Sequence, residues 1–132
     1  MGYTHYWRIS RDLTPAEWEL FIEVVRDIFK DEMTNGIRLT GWDCTGKPLA
    51  DGTEVAFNAA DGLESVNITR VRRELKGWEL EFGPEERGFC KTDRRPYDRA
   101  VRRVLAALAD IASDAIGLGT DDSVGLDVFK FA

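Results

Sequence analysis

Lys91, Thr92, Arg94, Arg95 and Arg99 crowd into the run Phe89-Cys90-Lys91-Thr92-Asp93-Arg94-Arg95-Pro96-Tyr97-Asp98-Arg99, which leads into a helical pattern. At a helix start the first backbone N–H groups lack partners and the helix dipole presents its positive end. Cations placed there reinforce an existing preference for anions. The chemistry this supports is capture of a phosphate or carboxylate by two or three guanidinium or ammonium groups, with Thr92 as a hydroxyl donor. Arg95, Arg99, Arg102 and Arg103 fall on neighbouring helical positions, whereas Arg94 precedes the first turn. The same charges also read as a solvated helix face, paired with Asp93, Asp98 and the glutamates of 79–86. The glycine-rich pattern of a nucleotide-hydrolysing P-loop is absent.

The chain opens on Tyr3, Thr4, His5, Tyr6 and Trp7 after Met1-Gly2. Tyr3, Tyr6 and Trp7 offer rings on which a base can stack, and an aromatic wall facing cations is one way to hold a nucleotide. His5 shares a period-two face with Tyr3, Trp7 and Ile9, the setting of a core histidine. At a pocket rim its near-neutral titration would instead suit acid–base work. Cys90 adjoins Lys91 and the helix start, both of which lower a thiol pKa, so a Cys90–His5 nucleophile pair is the catalytic arrangement these residues allow. Cys44 has no comparable neighbourhood. Asp43 with Asp51, and Asp121-Asp122 with Asp127, carry oxygen ligands for a hard cation. Aspartates in turns more often bond their own backbone. No metal and no cofactor is expected.

With 132 residues, 43% apolar and 32% charged, the chain reads as one domain spanning 1–132, whose core needs no metal or disulfide staple. The net charge is −6, yet residues 70–103 hold 11 basic and 7 acidic side chains, a local +4 against −10 elsewhere. That asymmetry disfavours an extended nucleic-acid partner and suits a compact pocket for a small anion. No apolar run approaches the roughly 20 residues of a membrane span. The first residues lack the blocks of a signal peptide, and Gly2 lacks a myristoylation context. The expected setting is cytoplasmic, away from membranes, with Cys44 and Cys90 as free thiols.

These residues must be positioned by regular elements. Tyr3 to Ile9 alternates as a strand does. Thr14-Pro15-Ala16-Glu17 has the form of a capping box with proline at the first helical position. Trp18, Phe21, Ile22, Val25, Ile28 and Phe29 then recur at helical spacing until Asn35-Gly36. Short strands are predicted at Ile37–Leu39 and around Val55 and Phe57, on either side of a loop from Gly41 to Gly52. Ser65–Val71 and Trp78–Phe82 read as a strand pair. Pro96 opens a second helix with Val101, Val104, Leu105, Leu108, Ile111, Ala112 and Ala115 on one face, stopped by Gly117 and Gly119. Leu126–Phe131 is a last strand, so both ends of the chain are expected in strands. Two apolar stripes covering one face of a mainly antiparallel sheet make a two-layer α+β domain.

Three segments together carry a family resemblance: Tyr3-Thr4-His5-Tyr6-Trp7, Glu54-Val55-Ala56-Phe57-Asn58, and Phe89-Cys90-Lys91-Thr92 followed by Arg95-Pro96-Tyr97-Asp98. The chain resembles a largely uncharacterised family of small phage and bacterial proteins, often actinobacterial. Such proteins share a Gly-Tyr-Thr-His-Tyr-Trp-like start and a Cys-Lys-Thr…Pro-Tyr-Asp-like segment before the last long helix. It departs from them at Gly119-Thr120-Asp121-Asp122-Ser123, where they tend to carry Ser-Ser-Asp-Gly. The residues point to a binding protein for a small phosphorylated ligand, a nucleotide above all, built from Lys91, Thr92, Arg94, Arg95, Arg99, His5, Tyr6 and Trp7. The phage resemblance implies a specific form, sequestration of a defence nucleotide signal in the host cytoplasm. The alternatives are a phosphodiesterase or nucleotide hydrolase using His5, and an interaction module whose acidic surface meets a host protein or a second copy of the chain.

Overall fold

The period-two pattern of the first residues becomes strand β1, Thr4–Ile9, with His5, Trp7 and Ile9 buried and Tyr6 and Arg8 exposed. The computed structural model describes residues 3–72, 77 and 86–121. After β1 come α1 (Pro15–Thr34), β2 (Leu39–Thr40), β3 (Leu49–Ala50), β4 (Glu54–Ala59), β5 (Val66–Thr69), β6 (Glu86–Lys91), α2 (Asp98–Ile111) and β7 (Ile116–Thr120). The class is α+β. The strands expected at Trp78–Phe82 and Leu126–Phe131 lie outside the described residues, as do Asp122 and Asp127.

The capping box starts α1 as its residues predict. Thr14 Oγ1 accepts from the Glu17 N–H at 3.1 Å, and Glu17 Oε1 accepts from the Thr14 N–H at 2.9 Å. Asn35 caps the far end, and Gly36 turns the chain at φ 96°, a left-handed value that glycine takes without steric cost. The apolar stripe of α1, with Trp18, Phe21, Val25, Ile28 and Phe29, is buried. It joins the Val101, Val104, Leu105 and Leu108 face of α2 in one core cluster with both groups of strands.

Several boundaries differ from the sequence reading: β2 is Leu39–Thr40 where Ile37–Leu39 was expected, and β3 falls inside the loop expected from Gly41 to Gly52. Helix α2 opens at Asp98 instead of Pro96, after a turn through residues 92–97, and ends at Ile111. Gly117 and Gly119 do not stop it; they lie inside β7. The guanidinium of Arg8 lies across Gly117, where an added Cβ would sit 3.0 Å from Nη2, so glycine there leaves room for the arginine to lie over the strand. Glu86–Lys91 forms a strand the periodicity did not announce, because charged and glycine positions interrupt its apolar alternation.

Among the described residues all strand pairs are antiparallel, and they divide into two sheets: β6-β1-β7, and β2-β4-β3 with β5 also on β4. The sheets meet at Glu64 and Lys91. There the Glu64 N–H donates to the Lys91 carbonyl at 3.2 Å, while the Lys91 N–H donates to the Glu64 carboxylate at 2.6 Å. A side chain thus stands where a ladder carbonyl would continue the sheet. Trp18 Nε1 donates to the Asp51 carbonyl at 2.8 Å, and Arg26 reaches the Ala50 carbonyl, tying α1 to the second sheet. Arg11 forks between Glu17 and Asp114, joining the start of α1 to the turn before β7. Among the described residues, no helix is long and apolar enough to cross a membrane.

Candidate functional site

Strand β1 sets the floor of the site. Tyr3 and His5 lie on its buried side, with ring centroids 4.9 Å apart in an edge-on contact. From the end of β6 the chain turns sharply. Asp93 and Arg94 take φ 53° and 59°, left-handed values that are costly for residues with a Cβ. The turn is held by the N–H groups of Thr92 and Asp93, which donate to the Tyr3 carbonyl at 3.0 and 3.1 Å, and by Arg95 N–H to the Thr92 carbonyl at 3.0 Å. The Arg94 guanidinium lies over the Tyr3 ring, 3.9 Å from its centroid.

This turn brings Arg94 and Arg95 to the same side as Arg99 and Arg102 of α2. The four surround a cavity of about 350 Å³ with Tyr3, Pro96 and Asp98. Four guanidinium groups against one carboxylate leave its lining strongly positive in a protein of net charge −6. Arg95 Nη1 donates to the carbonyls of Asp61 and Gly62 at 3.2 and 3.4 Å. Arg99 is more than half exposed and lies 3.3 Å from the buried carboxylate of Glu32, which Arg103 shares.

Beneath the cavity Asp98 organises the floor. Its Oδ1 lies 2.6 Å from His5 Nε2 and also accepts from the Thr92 hydroxyl, while its Oδ2 lies 3.0 Å from Arg102 Nε. Burial works to raise the Asp98 carboxyl, but the bonds from His5 and Thr92, with the charges of His5 and Arg102, hold it below its usual range. A carboxylate in that state can only accept, so His5 Nε2 is the donor.

The residues singled out from sequence divide accordingly. Arg94, Arg95 and Arg99 line one cavity. Thr92 is fully buried with its hydroxyl on Asp98, and the N–H groups of Thr92, Asp93 and Arg95 already bond carbonyls. The backbone of the turn is thus engaged in its own fold, and the cations lining the cavity are the arginine side chains. Lys91 closes β6 beside Glu64. His5 is fully buried under the cavity. Trp7 belongs to the core, its ring lying across Gly88, where a Cβ would come 2.2 Å from Cε2. Tyr6 points to the opposite face of β1. Tyr3, Pro96, Asp98 and Arg102 complete the cavity, and the spacing from His5 back to Tyr3 and from Arg99 on to Arg102 is the signal that finds Tyr3 and Arg102.

The activated-thiol expectation for Cys90 is overturned. Its side chain is buried, its hydrogen goes to the Glu64 carbonyl at 3.2 Å, and burial pushes the thiol up to about 12, with the nearby Glu64 and Asp98 charges adding to the rise. Cys90 and His5 are register partners on β6 and β1, but burial of the thiol works against the activation such a pair would need. Cys44 is exposed, and both cysteines are free. Asp51 caps its own turn through the N–H groups of Thr53 and Glu54, and Asp43 accepts from Thr45. Asp121 accepts from the Thr4 N–H and the Tyr6 hydroxyl. The chain matches no known protein family, no curated protein and no solved structure at a significant level.

Proposed function

We propose that this protein binds a small phosphorylated molecule in the cavity between the Thr92–Tyr97 turn and α2. The observation that carries the reading is the convergence of Arg94, Arg95, Arg99 and Arg102 on one cavity of about 350 Å³. Guanidinium forks match phosphate oxygens in pairs. A nucleotide suits the cavity because the Arg94 plane, backed by Tyr3, is a surface on which a base can lie. In a protein of phage origin, this binding would act by sequestering a nucleotide signal. Binding without turnover is favoured over hydrolysis, since His5 lies buried beneath the cavity with Nε2 on Asp98.

Calorimetry against inorganic phosphate and a panel of linear and cyclic nucleotides tests this, with each ligand recovered and checked for conversion. Arg94→Ala or Arg99→Ala should weaken binding roughly ten- to hundredfold, the cost of a lost bond from a charged donor. Arg38→Ala, at an exposed position beside β2, should change it little. Affinity should fall as salt rises. No binding across the panel removes the reading, and conversion of a ligand replaces it with the hydrolase.

A further inference from the structure

The outer face of the β6-β1-β7 sheet carries a separate arrangement. Register places Tyr6 between Phe89 and Gly119, and Arg8 between Arg87 and Gly117. One row across the sheet is therefore aromatic, aromatic, glycine, and the next parallel row is arginine, arginine, glycine. The intervening row, Gly88, Trp7 and Leu118, sends its side chains to the core side. Rows two residues apart are separated by about 7 Å, roughly twice the 3.5 Å contact distance between carbon atoms. A trough of about 370 Å³ runs between them, and one planar ring standing in it would have aromatic carbon on one side and guanidinium on the other. Gly119 leaves its floor open, since a Cβ there would meet nothing within 4 Å. The Tyr6 hydroxyl donates to Asp121 at 2.9 Å, which fixes the ring.

Phe89 is the wall between this trough and a second cavity of about 410 Å³, bordered by Trp42, Ser65, Asn67 and Arg87 in the gap between β6 and β5. The Ser65 hydroxyl donates to the Trp42 carbonyl and holds the Trp42 loop at that gap. Among the described residues the exposed aromatic side chains are Tyr6, Trp42 and Phe89, at 45%, 56% and 64% exposure. All three border these two adjoining cavities.

We infer that this face binds a short segment of single-stranded nucleic acid. One base stands between Tyr6 and Phe89 and the arginine row, the next lies against Phe89 and Trp42, and Arg87, which borders both cavities, meets the connecting phosphate. A mononucleotide would fill only one cavity, and an apolar peptide would leave Arg87, between the two cavities, without a counter-charge. Asp121 and Glu64 lie close by and oppose phosphate, so the affinity comes mainly from stacking. That agrees with a net charge unsuited to an extended nucleic-acid backbone.

The test is fluorescence anisotropy of the whole protein with end-labelled hexathymidylate. Phe89→Ala and Trp42→Ala, at exposed positions and checked for folding by circular dichroism, should each weaken binding roughly five- to hundredfold. The slope of log affinity against log salt should be shallow, about −0.7 for the one phosphate that Arg87 neutralises, and Arg87→Ala should bring it close to zero. Thymidine monophosphate should compete far less well than the unlabelled hexamer. Absence of binding, equal competition by the monophosphate, or loss on Arg99→Ala without loss on Phe89→Ala would overturn the inference. Absence of hexamer binding leaves calorimetric binding of free phosphate at the arginine cavity untouched, whereas loss on Arg99→Ala alone would assign the hexamer to that cavity, so the two sites fail separately.

Discussion

Asp98→Asn separates the two things Asp98 does, and it should move stability and ligand affinity in opposite directions. The carboxylate accepts from His5 Nε2 at 2.6 Å and from the Thr92 hydroxyl, and it pairs with Arg102 at 3.0 Å, with only 12% of its side chain exposed. A hydrogen bond to a charged group is worth about 1.5–3 kcal/mol. Asparagine keeps one acceptor oxygen but loses the charge, so a cost of about 3 kcal/mol is expected, toward the lower end for breaking a buried pair. The cavity meanwhile loses its one lining carboxylate. Removing a unit charge about 7 Å from a bound phosphate, at an effective dielectric of about 20–80, is worth about 0.6–2.4 kcal/mol. Phosphate affinity should therefore rise roughly three- to fiftyfold.

Acid provides a second readout. The folded pKa of Asp98 lies below its ordinary 3.8, so the carboxylate stabilises the fold above that value and loses the contribution as pH falls through the folded pKa. The variant should show a shallower stability loss below about pH 4 than the wild type. Urea unfolding between pH 2 and 7, with phosphate calorimetry at neutral pH, measures both effects. Unchanged stability, or weaker phosphate binding in a folded variant, would refute the role assigned to Asp98.

Tyr97→Phe should cost about 1–3 kcal/mol in urea unfolding, because the hydroxyl accepts from the Leu63 N–H at 3.1 Å and donates to the Glu64 carbonyl at 2.7 Å; a change under 0.5 kcal/mol would mean that neither bond matters. Leu105→Ala removes a fully buried side chain from the shared core and should cost about 2–5 kcal/mol, a value a solvent-facing stripe would not give. Thiol labelling of the native protein at neutral pH should modify Cys44 quickly and Cys90 slowly, while denatured, unreduced protein should show two reactive thiols; rapid native labelling of Cys90 would contradict its burial.

Much of the scaffold was legible from local chemistry. Thr14, Pro15 and Glu17 specify the start of α1 by geometry that needs no tertiary partner, and the stripes of α1 and α2 carry a 3.6 period that only a shared core satisfies. Burial of His5 follows from its place beside Tyr3, Trp7 and Ile9. The site was legible in charge but not in assembly. Arg94, Arg95 and Arg99 stand together because Asp93 and Arg94 adopt left-handed backbone that Tyr3 holds from across the sheet, a long-range cause that local spacing does not reveal. Order along the chain sets Tyr6 and Trp7 beside each other, but neighbouring residues in a strand point to opposite sides. Gly117 signals a helix stop in isolation and a strand once Arg8 lies across it.

Binding of a small phosphorylated ligand between the 92–97 turn and α2 is tested most directly by nuclear magnetic resonance. The arginine Nε–Hε signals of ¹⁵N-labelled protein would be followed while a nucleotide is titrated in. Saturable shifts are expected at Arg94, Arg95, Arg99 and Arg102 together, displaced to roughly ten- to hundredfold higher ligand concentration for the remaining three in Arg99→Ala, with Arg38 unmoved. Signals from those four arginines that stay still while the nucleotide saturates the protein elsewhere, or that never respond to any phosphorylated ligand, would contradict it.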